Sequence, residues 1–153
     1  MNNEELTNYF DEQLFLPDLM ATSKDELFVE LVDQFVKVKY LKNRDIVLEM
    51  LRQRENLGST GIGKNVAIPH GRTTSAQDIM IAFGKSRQGI EYDAIDNKPV
   101  HLIFMIIAPP QDQSNMYLPI LGKMVEILNK AKNRNKLLEA ETYSEFIEII
   151  SRG

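Results

Sequence analysis

From Val100 to Ile107 every residue except His101 is apolar, and Pro109-Pro110 closes the run. The run is too short to span a bilayer. A strand that is wet on one face alternates apolar and polar side chains, and this one does not, so it must be covered on both faces. The flanking sequence offers helices as the cover. Leu14 to Leu19 reads as a short extended segment entering a turn. Ser23 with Glu26 forms a capping-box pattern ahead of Leu27, Phe28, Leu31, Val32, Phe35 and Val36, an amphipathic helix to about Val38. Asn43 is a candidate cap for a second helix with Ile46, Val47, Met50 and Leu51 on one face. Val66 to Ile68 and Asp78 to Gly84 are strand candidates. Gln88-Gly89 and Asp96 to Pro99 read as turns around Ile90 to Tyr92. After the apolar strand, Ser114 or Asn115 should cap a helix to about Lys130 with Pro119 in its first turn. Its core face reads as Leu118, Leu121, Met124, Val125 and Leu128. Shorter helices around Leu137-Leu138 and Phe146 to Ile150 follow, with Thr142 and Ser144 as candidate caps. These elements predict an α+β fold, three layers α/β/α with a central mixed β-sheet flanked by helices, in one domain over 1–153.

The rest of the composition works by exclusion. The net charge of −4 supplies no basic excess for nucleic acid. Without cysteine there is no disulfide, thiolate nucleophile or Cys-based zinc site. Two histidines, His70 and His101, give a His-based metal site little to build on, and no Asp/Glu cluster has ligand spacing. No metal is expected. The acidic, polar start Met-Asn-Asn-Glu-Glu is no signal peptide, so a cytoplasmic protein is expected.

Gly58-Ser-Thr-Gly-Ile-Gly-Lys-Asn65 nearly matches the phosphate loop of nucleotide-binding proteins. Asn65 replaces the hydroxyl residue that ligates magnesium, and Val-Ala-Ile-Pro cannot open the helix that must follow. A nucleotide site is not expected. The glycines still let backbone N–H groups approach an anion. His70 comes next, read as lying on a turn between Pro69 and Gly71, with Arg72 two residues on and Arg54 ending the preceding helix. No serine or aspartate is placed to make His70 a base for another nucleophile. A neutral imidazole nitrogen is itself a competent nucleophile near pH 7. A phosphoryl group on it needs its oxygens neutralised by guanidinium or N–H donors. Chemistry alone leaves two readings open for His70, a phosphoryl acceptor and a structural histidine.

Arg54-Glu55, Ser59 to Gly63 and Val66-Ala-Ile-Pro-His-Gly71 together resemble the active-site signature of the enzyme IIA domains of the fructose/mannitol class. These belong to the bacterial phosphoenolpyruvate-dependent sugar phosphotransferase system and include nitrogen-related regulatory IIA proteins. The likeness continues through Asp96 to Phe104 and Ala108-Pro109 and spans essentially the whole chain. The resemblance implies a phosphotransferase that needs no metal and no cofactor: His70 takes a phosphoryl group from the phosphohistidine of the carrier HPr. It hands that group to a IIB domain, which serves a membrane permease, so the chain meets the membrane only through IIB. Arg54 takes the place of the family's phosphoryl-stabilising arginine. Its plainer role is an exposed helix C-terminal cation, favoured by about 0.3–1 kcal/mol.

One position departs from the pattern. Many relatives carry a second histidine at the start of the long helix, where this chain has Tyr117. Tyrosine is uncharged at pH 7 and shuttles no proton as histidine does. It can still donate its O–H to a phosphoryl oxygen or orient His70; its plainer role is a half-buried aromatic at a helix start. That helix's N-terminus should also point its positive end at the phosphate. His101 starts the apolar strand and reads as structural. An apolar docking patch including Ile62 and Met116 is expected around His70. The alternative to sugar uptake is a regulatory protein of the nitrogen-related type. Its phosphorylation state would control binding to regulatory protein partners.

Overall fold

The predicted central strand is β6, Val100–Ala108, and neighbours occupy both of its edges. The computed structural model describes residues 1–111 and 113–153. β5, Met80–Ile90, pairs antiparallel with β6, from Met80 opposite Ile107 to Ile90 opposite Val100. On the other edge β3, Val66–Ala67, and β4, His70–Arg72, pair with it in parallel. β1, Phe10–Leu16, lies parallel to β5, and β2, Gly61–Gly63, lies antiparallel to β3. The sheet is therefore mixed, in the order β1-β5-β6-β3-β2 with β4 also on β6.

Alternation along β6 feeds two separate cores. Ile103, Met105 and Ile107 face α2, Lys24–Lys37, and α3, Arg44–Asn56, where Phe28, Leu31, Phe35, Leu48 and Leu51 are buried. Leu102, Phe104 and Ile106 face the opposite layer. That layer is α1, Asn3–Thr7, α4, Tyr117–Leu128, α5, Ala131–Glu139, and α6, Tyr143–Arg152. Aromatic rings fill it: Phe146 lies 4.5 Å from Phe83 and 5.2 Å from Phe10, centroid to centroid. Such pairs add about 0.5–1.5 kcal/mol each beyond their buried area. The three-layer α/β/α expectation holds.

Several local expectations need correction. β5 does not stop at Gly84; it continues to Ile90 through an irregularity after Lys85, where Gly89 takes φ 89°. A bulge absorbs the extra residues that the sequence suggested were a turn. Neither Ser114 nor Asn115 caps α4. Met116 occupies the cap position and makes no side-chain cap bond. On α4 the core face is Tyr117, Ile120, Met124, Ile127 and Leu128, while Leu118 is 71% exposed and Val125 37%. The helix is apolar on more than one side, so periodicity cannot choose the face and packing on β6 does. Ile46 is likewise exposed, and Leu48 takes its place in the core. Asn43 sits at the α3 cap position in a left-handed conformation without a cap bond. The caps at Ser23 and Thr142 are present, the latter as a full capping box with Glu145. Pro119 falls in the first turn of α4. α1, too short for a periodic signal, went unread.

Candidate functional site

β3 and β4 are one strand interrupted. Val66–Ala67 pair with Leu102 and Ile103, and pairing resumes only when His70 meets Ile106. Between them Pro69 has no N–H to give the ladder, although its carbonyl accepts from Ile106 N at 2.9 Å. Ile68 N–H turns away to the Thr60 carbonyl at 3.0 Å. The Ile68 carbonyl is left to face His70 Nδ1 at 2.8 Å. So His70 opens a short strand rather than sitting on a turn. A carbonyl only accepts hydrogen bonds, so in the neutral ring Nδ1 carries the proton and Nε2 keeps the lone pair. The next residue must be small: a Cβ on Gly71 would overlap the Met50 sulfur, which packs α3 onto β4.

α3 ends where it must to bring Arg54 to this ring. Arg54 is half-buried in the last turn and donates from Nη1 to the Gly58 carbonyl at 2.9 Å. Glu55, beside it, has a side chain only 7% exposed, paired to Lys24 Nζ at 3.0 Å. It accepts from Thr60 N–H at 2.9 Å and Thr60 Oγ1 at 2.6 Å. Thr60 Oγ1 lies 2.7 Å from the buried Tyr92 hydroxyl, and Lys24 Nζ sits 4.6 Å from the Tyr92 ring centre. Burial pushes the Tyr92 hydroxyl pKa far up, so it remains protonated. This network joins α2, the end of α3 and the approach to β2. Sequence reasoning quoted Glu55 and Thr60 without giving them a task and passed over Lys24 and Tyr92. The available signal was Glu55 itself, because a carboxylate in a helix's last turn opposes the macrodipole and needs a specific partner.

Tyr117, the first residue of α4, is buried, and its ring centre lies 6.2 Å from that of His70. Arg72 Cζ stands 4.6 Å from the centre of the same ring, and Arg72 Nη1 donates to the Pro110 carbonyl at 3.2 Å. Burial lowers the His70 pKa below its usual 6.5; the Ile68 bond opposes the shift, Arg54 adds to it and Glu55 opposes it. Burial pushes the Tyr117 hydroxyl up to about 12 against the pull of Arg72 and Arg54. At neutral pH the imidazole is therefore neutral, the phenol protonated, and both lie in the field of Arg54.

The fold thus gathers His70, Arg54 and Tyr117 and adds Arg72. His101 stands elsewhere, with Nδ1 2.8 Å from the Ser86 carbonyl. Ile62 and Met116 are half-buried against the aromatic core. The phosphate-loop lookalike is a hairpin. Lys64 and Asn65, at φ 58° and 67°, form the two-residue turn between β2 and β3. Lys64 N–H donates to Asp96 Oδ2 at 2.9 Å. Among the described residues, no three His, Asp or Glu side chains form a metal-binding group, and no helix is long and apolar enough to cross a membrane.

Comparison with known proteins places this geometry. Residues 8–153 match the family described as "Phosphoenolpyruvate-dependent sugar phosphotransferase system, EIIA 2". The chain is 33% identical over 148 residues to the PTS system fructose-specific EIIABC component of Bacillus subtilis, covering 97% of this chain but 23% of that protein. It is 35% identical over 121 residues to the PTS system fructose-specific EIIA component of Haloferax volcanii, covering 79% of this chain and 78% of that one. Among solved structures, the nitrogen regulatory protein IIA-Ntr of Neisseria meningitidis superposes with a TM-score of 0.87 at 31% identity, covering 95% of this chain and 99% of that one. The Escherichia coli complex of enzyme IIAMTL with phosphorylated enzyme IIBMTL shares the fold, with a TM-score of 0.77 at 19% identity, over 94% of this chain and 99% of that chain.

Proposed function

The chain belongs to the EIIA 2 family of the phosphoenolpyruvate-dependent sugar phosphotransferase system, and on that premise we propose that it is a phosphocarrier loaded on His70. The unit that carries the phosphoryl group is a single domain over 1–153. The observation that carries this reading is the Ile68 carbonyl on His70 Nδ1. It leaves Nε2 as the nucleophilic nitrogen, while burial and Arg54 keep the ring unprotonated.

In the transfer, the Nε2 lone pair attacks the phosphorus of the phosphohistidine on HPr. The donor's N–P bond breaks and its electron pair returns to the donor ring. Each ring keeps its own N–H, so no proton crosses. The charge that develops on His70 is shared with the Ile68 carbonyl, and Arg54 pairs with the phosphoryl oxygens. Tyr117, protonated at neutral pH, bears on the ring and orients it. Reversal of the same step onto a IIB domain unloads His70 on the cytoplasmic side, and IIB alone meets the permease. The exposed Leu57 and Leu118, one beyond α3 and one in the first turn of α4, supply apolar contact for such partners.

The test incubates the protein with phosphoenolpyruvate, enzyme I and HPr and reads an acid-labile adduct by intact mass. An unmodified protein in the presence of phosphorylated HPr would sink the reading. A second reading, regulation through phosphorylation state, is favoured by the close superposition on the Neisseria meningitidis nitrogen regulatory protein. Onward transfer from phospho-His70 to IIB domains decides between them: efficient transfer supports uptake, and a loaded protein that transfers to none supports regulation.

A further inference from the structure

We propose that Arg72, held on the Tyr117 ring, is a second phosphoryl-binding guanidinium of the site and works opposite Arg54. The inference rests on the reading of His70 as phosphoryl acceptor. His70 and Arg72 are two apart on β4, so their side chains leave the same face of the strand. Tyr117 meets both: its ring centre is 6.2 Å from the imidazole and 4.6 Å from Arg72 Cζ. Arg54 and Arg72 both act on the Tyr117 hydroxyl, which places two cations around one phenol beside the nucleophile.

The chemistry calls for a second cation. A transferred phosphoryl group carries nearly two negative charges over three oxygens. Arg54 spends one Nη1 hydrogen on the Gly58 carbonyl, so one guanidinium must serve both a loop and the group. Arg72 is exposed and would ordinarily be a solvated, disordered surface residue. Here it is tethered twice, by its stack on Tyr117 and by its bond to the Pro110 carbonyl. Ordering a long side chain beforehand removes much of the entropic penalty of binding an anion. Only one of its five N–H donors is used among the described residues, and the rest of the fork suits bidentate phosphate contact. When the phosphoryl group passes from the donor imidazole to Nε2, as balanced above, its oxygens lie between the two guanidiniums. The Tyr117 ring thereby serves as a shelf for Arg72.

Single-turnover phosphorylation by phospho-HPr, followed by intact mass, tests this in the wild type, Arg72→Gln, Arg72→Lys, Tyr117→Phe, Tyr117→Leu and the Arg72→Gln/Tyr117→Leu double variant. Melting temperatures are measured in parallel. Arg72→Gln should slow loading by about 10–100-fold with an unchanged melting temperature. Arg72→Lys, which keeps the charge but loses the fork, should fall between it and the wild type. Tyr117→Phe, which keeps the stack, should load faster than Tyr117→Leu, and Tyr117→Leu should approach Arg72→Gln, because only the leucine variant loses the stack. The double variant should be no slower than Arg72→Gln, as expected of coupled residues. Wild-type rates in both Arg72 variants would overturn the inference and leave the phosphocarrier reading intact. Losses that multiply in the double variant would also overturn it. A wild type that HPr does not load removes both together.

Discussion

His70 and His101 make the same local hydrogen bond and stand in different chemistry. Each presents Nδ1 to a main-chain carbonyl at 2.8 Å, Ile68 in one case and Ser86 in the other. Both are half-buried and both belong to the same sheet. The bond fixes a tautomer in each case, so tautomer alone does not make a site. At His70 a helix end delivers Arg54, a second helix start delivers Tyr117, and Arg72 follows on the same strand face. At His101 the ring lies against Gly89, whose Cβ, if present, would meet Nε2 at 3.1 Å. One ring has its lone pair among cations; the other has it packed against a bulge.

The contrast breaks most directly by exchanging the two residues' fates. His70→Ala should abolish the acid-labile adduct, a loss of at least about a thousandfold, while His101→Ala should leave it intact. An adduct on the His70 variant, seen by intact mass, would move the site. Arg54→Ala should slow loading by about a hundredfold without unfolding the protein; single-turnover kinetics at wild-type rate would remove the clamp from the account. Glu55→Ala strips Thr60 and Lys24 of a buried partner and should destabilise by about 2–4 kcal/mol in denaturant melts. A change below about 0.5 kcal/mol would show that the network does not set the end of α3. His101→Ala should lower stability by about 1 kcal/mol, or roughly 2–4 °C in melting temperature, by losing the Ser86 bond.

The smallest effect is the pH dependence. Burial holds the folded His70 pKa below 6.5, so as pH falls the unfolded chain takes up the proton first. The neutral ring's stability contribution is complete above about pH 6.5 and declines as pH drops toward the lowered folded value. Loading should likewise hold its plateau below pH 6.5. An NMR titration of His70 with a midpoint at or above 6.5 contradicts this.

The layer architecture was legible because β6 carries no polar face, and the strand's neighbours had to follow. Ser23 and Thr142 were legible because capping is written in nearby residues. The face of α4 was not, since Leu118 and Ile120 are equally apolar and only contact with β6 separates them. His70 and Arg54 were singled out through local pattern and resemblance. Arg72's stack on Tyr117 was not, because it joins residues 45 positions apart through a helix start that no strand periodicity locates. Lys24 reaches Glu55 from a different helix, and a pairing of that kind leaves no spacing in the sequence.

The gap at Pro69 has a consequence for how freely the site can vary. The proton on His70 Nδ1 is held by the main chain, at a carbonyl released where the ladder breaks. It is the main-chain carbonyl that sets which nitrogen keeps the lone pair, and a side-chain substitution leaves that carbonyl in place. The choice of Nε2 as the proposed nucleophile is thereby shielded from side-chain mutation. The exposed apolar positions nearby, Leu57 and Leu118 among them, are left open to drift toward new partners while the proposed acceptor nitrogen stays the same.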